Sequence, residues 1–255
     1  MKTLAMVMRK GGSGKTTSAL NLAHAFGLSG KKVLFLDLDD QKNASGVLSD
    51  DTSPPEVSIQ ELLLDPAVSI ASVVRESSWE GVSYIPASGN LSGVIRELDG
   101  EVGSHMVLKE KLQGAHYDVC FIDTSPSLNI LVVNALCAAD YLFIPLSSNY
   151  FSLQGLPQTL GAYEKVKSRL NRNLSVAGLG FVIHDKRSVL SREVVERARK
   201  EYGHLVFDTV VGQNIRIEEA HVKGLSIFSY EPAGRGALQY RMLSEELAER
   251  MGGLG

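Results

Sequence analysis

The chain has 255 residues, 44% of them apolar and 22% charged, with a net charge of −3. That length fits one α/β domain with a sizeable core, and the mild negative balance excludes a polycationic nucleic-acid binder, so any DNA-binding surface must be a local patch. Two cysteines exclude a disulfide scaffold, and no apolar run approaches the ~18 residues of a membrane-spanning helix.

Met1-Lys2-Thr3 leads straight into an apolar run at 4–8, which leaves no room for a signal peptide and points to the cytoplasm. Residues 10–17 follow, reading Lys-Gly-Gly-Ser-Gly-Lys-Thr-Thr, and a helical pattern spans 18–28 with Leu22, Ala25 and Phe26 on one side. A strand, a glycine-rich turn and a helix N-terminus form an anion site, because successive backbone N–H groups and the helix dipole face a phosphate. Glycine is required where a Cβ would block that approach or the positive φ angles of the turn. Lys15 is placed to neutralise β- and γ-phosphates, and the Thr16 hydroxyl to ligate Mg²⁺. The plain form of this motif needs a glycine at position 9, where the chain has Arg9, and a second lysine, Lys10, opens the loop instead. Two lysines on one tight bend are unsuited to the same phosphate oxygens, so Lys10 is expected to point away from its own nucleotide.

The next apolar run, 33–36, ends in Asp37-Leu38-Asp39, carboxylates at the strand end where open α/β sheets bind ligands. Residues 50–58 read as a polar loop, and Val82–Ile85 as another strand. The run 119–122 ends in Asp123, a carboxylate leaving a buried strand, which can hold Mg²⁺ through water. Further along, the pattern predicts helices at 128–138, 153–170, 189–202 and 238–251, with strands at 141–144 and 176–183 between them. Leu243, Leu247 and Met251 recur every four residues on the last helix, and residues 252–255 are expected to fray. Strands that do not alternate are buried on both faces, so the fold class is α/β, a doubly wound, mostly parallel sheet flanked by helices. Cys120 and Cys137 lie in apolar runs and read as buried core residues in a reducing cytosol. Basic residues gather in the C-terminal third, including Lys186, Arg187, Arg192, Arg199, Arg216 and Lys223. Such residues supply sequence-independent DNA affinity by displacing counterions.

The octet at 10–17 resembles the deviant Walker A motif, K-G-G-x-G-K-[ST], of the ParA/MinD superfamily of P-loop NTPases. The resemblance implies that Gly11, Gly12, Ser13, Gly14, Lys15, Thr16 and Thr17 hold ATP, and that Lys10 reaches across a nucleotide-sandwich dimer to the partner's phosphates. Asp37-Leu38-Asp39-Asp40-Gln41 is similar to the family's D-x-D-P-Q. It makes Asp39 the carboxylate that positions the attacking water and puts Asp37 near the magnesium shell, while Asp40 replaces a proline and adds negative charge. Asp123-Thr124-Ser125-Pro126-Ser127-Leu128 resembles D-x-P-P-S-L, with Asp123 a nucleotide and Mg²⁺ residue. Residues 134–156 resemble chromosomal-type ParA proteins more than MinD. Asp185-Lys186-Arg187-Ser188-Val189-Leu190-Ser191 and Asn214-Ile215-Arg216-Ile217-Glu218-Glu219-Ala220 resemble segments that carry DNA-binding arginines, here Arg187 and Arg216, and Lys223 is counted with them. Glu218 is expected to weaken Arg216. Thr209-Val210-Val211-Gly212-Gln213-Asn214 resembles an adenine-contacting loop, which implicates Asn214, and Gly212 in place of proline is expected to add mobility.

The implied function is an ATP- and Mg²⁺-dependent ATPase with Lys10, Lys15 and Asp39 as its catalytic set. It would form a homodimer with ATP, bind double-stranded DNA non-specifically on the nucleoid, and segregate a plasmid or chromosome origin. A ParB-like partner would stimulate its slow hydrolysis. An ATPase positioning a protein cargo on the nucleoid is the alternative. A MinD-like membrane ATPase needs a basic amphipathic C-terminal helix, whereas Glu245-Glu246-Leu247-Ala248-Glu249 is acidic. An iron–sulfur reductase needs an exposed cysteine, whereas Cys120 is predicted inside a strand. A single domain is expected, without an N-terminal helix-turn-helix extension and with no membrane partner.

Overall fold

The computed structural model describes residues 1–49, 57–87 and 89–253. Its strands are β1 (Lys2–Met6), β2 (Val33–Leu38), β3 (Arg75–Glu76), β4 (Val82–Ile85), β5 (Val119–Thr124), β6 (Tyr141–Ser147) and β7 (Ser175–Ile183). They form one sheet in the order β3-β4-β2-β5-β1-β6-β7, parallel except where the two-residue β3 runs antiparallel along β4. Because β1 lies between β5 and β6, the chain reverses its direction of winding there, and ligand crevices open at such a switch point beyond the strand C-termini.

The helices are α1 (Lys15–Leu28), α2 (Asn43–Leu48), α3 (Ile59–Leu64), α4 (Ile70–Val73), α5 (Leu91–Leu98), α6 (Val107–Lys111), α7 (Ile130–Ala138), α8 (Tyr150–Arg169), α9 (Val189–Tyr202), α10 (Ile215–Val222), α11 (Ile227–Tyr230) and α12 (Arg235–Arg250). Alternate residues of the strands feed two cores. Leu4, Met6, Phe35 and Phe121 pack with Leu20 of α1, Ile217 of α10 and Tyr240 of α12. Ala5, Val7, Leu34 and Ile122 pack on the other face with Leu131 of α7, Leu156 of α8 and Val194 of α9. Each fully buried leucine or phenylalanine contributes about 1.5–3 kcal/mol, so both layers hold the sheet from either side. Cys120 and Cys137 are both buried in this interior.

The boundaries differ from the sequence expectations for local reasons. Gly14, at φ 84°, turns the chain directly into α1, so that helix starts at Lys15 rather than 18. Short α2–α6 were not anticipated, since helices of one or two turns show little period; α3 is set by a capping box of Ser58 and Glu61. Of the expected polar loop at 50–58, residues 50–56 lie outside the described residues. At the end of the described chain, Gly252 and Gly253 donate to the carbonyls of Glu249 and Ala248, and Lys2 Nζ donates to Gly253 O at 2.9 Å. Residues 254–255 are outside the description. Among the described residues, no helix is long and apolar enough to cross a membrane.

Candidate nucleotide site

The sheet register brings the carboxylates to the loop. Asp123 of β5 pairs with Met6 of β1 on one side and with Asp37 of β2 on the other. The loop at 9–14 leaves β1 above them. Gly12 and Gly14 take φ angles of 68° and 84°, and a Cβ on Gly14 would sit 2.8 Å from Val182 Cγ2. Glycine is therefore required at 14 by both conformation and space. α1 opens with Lys15, a buried lysine whose pKa is lowered by desolvation, against the pull of Asp123 and Asp39.

Asp123 is fully buried, and neither of its oxygens has a hydrogen-bond partner. Burial, reinforced by the charge of Asp37, pushes its pKa up to about 8. The nearby Thr16 hydroxyl and Lys15 pull it back down without completing a hydrogen bond to it. The Ser13 hydroxyl is also buried and unpartnered. These three oxygens are the buried side-chain atoms left unpaired among the described residues, and all belong to this site. Buried polar groups are ordinarily paired, because each orphan costs about 1–3 kcal/mol. A carboxylate and a hydroxyl beside an anion-binding loop are a hard-oxygen set that fits Mg²⁺, which takes one or two carboxylates and completes its shell with phosphate and water. No cluster of three or more His, Cys, Asp or Glu residues suited to a metal occurs among the described residues.

Asp39 is buried at the end of β2, with Oδ1 accepting from Gln41 N at 3.1 Å. Burial raises its pKa, the Gln41 bond opposes that, and neighbouring Asp40 raises it further. Asp40 thus adds the negative charge expected from its replacement of proline. Asp37, expected near the magnesium shell, has its oxygens already engaged. Oδ1 accepts from Asp39 N at 3.0 Å, and Oδ2 accepts from Ser45 N at 2.8 Å and Ser45 Oγ at 2.7 Å. Burial still pushes its pKa to about 6. Asp37 ties together the connection between β2 and α2, and Asp123 offers the free oxygens.

Comparison with known proteins agrees with this geometry. A model of the AAA domain family matches residues 1–176. The chromosome-partitioning ATPase Soj of Treponema pallidum is 40% identical over 98% of this chain and 98% of its own. The chromosome partitioning protein ParA of Caulobacter vibrioides is 34% identical over 98% and 95% respectively. The chain belongs to the Soj/ParA family of P-loop ATPases. The fold is shared with cobyrinic acid a,c-diamide synthase from Mycobacterium smegmatis, solved with an ATP analogue and magnesium. That structure has a TM-score of 0.86 and 27% identity, covering 99% of this chain and 96% of the synthase.

Within this Soj/ParA-family chain the two loop lysines part. Lys15 faces the carboxylates, while Lys10 Nζ donates to Asn149 Oδ1 at 2.9 Å and lies 5.6 Å from the centre of the Phe151 ring. Asn214 caps α10, its Oδ1 accepting from Arg216 N at 3.0 Å. Gly212, where added mobility is expected, lies against α12. Its N–H donates to Gln239 Oε1 at 3.0 Å, Gln239 Nε2 donates to Val210 O at 3.1 Å, and a Cβ would lie 2.4 Å from the Arg235 guanidinium. A proline has no N–H to offer Gln239, and the glycine leaves room for Arg235.

The candidate DNA residues sit on two adjoining segments. Gln213 N donates to His184 O at 3.0 Å, which joins the loop before α9 to the loop before α10. Arg187 is 88% exposed, with Nε 3.3 Å from Asp185 Oδ1. Arg216 pairs with Glu219 at 2.7 Å. Tyr230 Oη donates to the same carboxylate at 3.0 Å, and Lys223 Nζ lies 4.8 Å from the Tyr230 ring centre. Exposed pairs of this kind are worth under ~1 kcal/mol and would yield readily to phosphate.

Sequence reasoning passed over Ser45 and Asn149. Both are small polar residues whose partners, Asp37 and Lys10, are remote in sequence, and neither stands in a motif.

Proposed function

We propose that this chain is an ATP- and Mg²⁺-dependent ATPase that dimerises face to face on ATP and binds double-stranded DNA non-specifically. With a ParB-like partner it would segregate a plasmid or chromosome origin on the nucleoid. The observation that carries the reading is the set of unpaired buried oxygens on Asp123 and Ser13 beside Lys15, in a chain alike from end to end to partitioning ATPases. Lys15 and the loop amides would hold the β- and γ-phosphates, and Thr16 and Asp123 would hold Mg²⁺, which neutralises charge between those phosphates when bound. Asp39 would orient the attacking water, and Lys10 would reach the partner's triphosphate. Arg187, Arg216 and Lys223 of both protomers would form the DNA surface. About four to six phosphate contacts per dimer, at ~0.9 each in the log–log salt slope, make the binding steeply salt-dependent.

A gel shift of arbitrary DNA with ATP, ADP or no nucleotide, at two salt concentrations, tests the cycle. Retardation with ATP alone, weakened by salt, is expected. Equal retardation with ADP would defeat the switch.

A further inference from the structure

Position 212, where the resembled loop has proline, is glycine, and the space this leaves is filled from elsewhere. A Cβ on Gly212 would lie 2.4 Å from Arg235 Nη2 and 3.1 Å from Arg235 Cζ, so the guanidinium takes the volume a side chain at 212 would occupy. The backbone beneath it is held, with Gly212 N donating to Gln239 Oε1 at 3.0 Å and Gln239 Nε2 to Val210 O at 3.1 Å. The guanidinium itself is not: among the described residues no hydrogen bond or ion pair reaches it. Arg235 also opens α12, whose first turn carries no acidic residue, and a cation there opposes the helix dipole. Neither the helix nor a partner in the chain accounts for the arginine.

The same segment adjoins the phosphate loop. Gly14 packs against Val182 and Ile183 at the end of β7. The next residue, His184, donates from its backbone N–H to Val211 O at 3.1 Å and accepts from Gln213 N at 3.0 Å, which lays residues 211–213 alongside. From the other side, Tyr240 Oη meets Ser18 Oγ at 3.2 Å and ties α12 to α1 two residues past Thr16. Asn214, the residue implicated in contacting adenine, turns its Nδ2 toward the same turn of α12, where a Cβ on Gly236 would lie 2.8 Å away. We propose that the Arg235 guanidinium, seated on Gly212, is one wall of the site for the base of the bound nucleoside triphosphate, in the space a proline ring would otherwise fill. This rests on the ATPase reading above and names what holds the base. A guanidinium is planar and weakly hydrated, so it stacks on aromatic faces as a compact ammonium does not. Every base has a π-face, so the wall adds affinity for the nucleoside without choosing between adenine and guanine.

The test is calorimetric binding of ATP and of inorganic tripolyphosphate, each with Mg²⁺, to wild type, Arg235→Ala, Arg235→Lys and Gly212→Ala. Arg235→Ala should weaken ATP about five- to fiftyfold, the scale of one lost stacking partner, and leave tripolyphosphate within about twofold. Arg235→Lys keeps the charge and loses the plane, so it should weaken ATP nearly as much. Gly212→Ala should push the guanidinium off its seat and weaken ATP as well, yet have no further effect in an Arg235→Ala background. Equal losses for ATP and tripolyphosphate, or full rescue by lysine, would show a phosphate contact through charge alone and overturn the wall. Unchanged ATP affinity in Arg235→Ala would overturn it too. Each of those outcomes leaves the ATPase reading intact so long as the wild type binds ATP; a wild type that binds none removes both.

Discussion

Two regions of the molecule withdraw polar side chains from water, one fully and one in part, and they do so differently. At the strand C-termini, Asp123 and Ser13 are buried with nothing to bond. At the far edge, Arg250 of α12 is bonded throughout. Its Nη1 donates to the carbonyls of Ala177, His204 and Leu205, and its Nη2 to Val206 O and Glu246 Oε1. The guanidinium lies 4.0 Å from the centre of the Phe207 ring, and Glu246 also accepts from the backbone N–H groups of Asp208 and Thr209. Paired polarity of this kind fixes how elements meet. Unpaired polarity costs stability and is retained where a ligand completes it. The contrast separates the site from the scaffold without reference to any relative.

The largest effect expected is at the unpaired end. Lys15→Met should cut ATP turnover by on the order of 10²–10³, the scale of losing one preorganised electrostatic partner at a reacting centre. Without nucleotide its melting temperature should hold or rise, because the buried ammonium is disfavoured by desolvation. The stabilisation that ATP and Mg²⁺ are expected to give the wild type should be absent from this variant. A variant that loses several kcal/mol in the absence of nucleotide would mean that Lys15 is scaffold.

Arg250→Ala should behave in the reverse manner. It strips five hydrogen bonds and leaves Glu246 without its charged partner, so a loss of about 3–4 kcal/mol in chemical unfolding is expected, with turnover of the folded fraction within about twofold. Arg250→Lys should not restore stability, since one ammonium cannot replace a planar fork that reaches four carbonyls. Full rescue by lysine would show that charge alone matters there.

A second paired region responds to pH. Asn21 of α1 donates to Thr17 O at 2.8 Å, contacts His221 Nε2 at 3.1 Å, and accepts from Ile227 N at 3.0 Å. His24 Nδ1 meets Ser226 Oγ at 2.5 Å. Burial lowers the pKa of both His24 and His221 to about 4, from an ordinary value of 6.5. The folded chain therefore binds fewer protons than the unfolded chain between those values. Stability is fully present above pH 6.5 and falls as the pH drops toward 4, by on the order of 2–3 kcal/mol per histidine. Urea titrations at intervals through that window measure the slope. His221→Gln, which keeps a polar partner for Asn21 but cannot titrate, should flatten part of it, and an unchanged slope would assign the effect elsewhere.

The same division governs what the sequence disclosed. The phosphate loop was readable because its demands are local: Gly14 needs a positive φ and an empty Cβ position, and only one short pattern supplies both beside Lys15 and Thr16. Asp123 was readable as the polar end of an apolar run. Arg250 and Glu246 carry no sequence sign of their pairing, because their partners at Ala177 and at 204–209 are far away in the chain. Gly212 read as a loosened turn for a similar reason, since its compensation lies in Gln239 and Arg235. Asn149 carried no pattern at all, only proximity to Lys10. The two-residue β3 and the short helices α2–α6 were too brief to leave a period. Partners separated by a fold's worth of chain are visible only once the chain is folded.

The smallest effect is the sharpest test of the contrast. Ser13 holds a buried hydroxyl with no partner, on a loop whose backbone, rather than its side chain at this position, would face phosphate. Alanine keeps the Cβ and removes only the orphaned oxygen. If the hydroxyl serves nothing, Ser13→Ala should be neutral or stabilising by about 0.5–1 kcal/mol in urea unfolding, with ATP turnover within about twofold. If the hydroxyl reaches a phosphate or the water shell of Mg²⁺, stability should still rise while the Michaelis constant for ATP increases several-fold. A loss of more than ~1 kcal/mol with unaltered kinetics would show that the oxygen is paired within the protein, and the separation of site from scaffold by unpaired polar atoms would then rest on Asp123 alone.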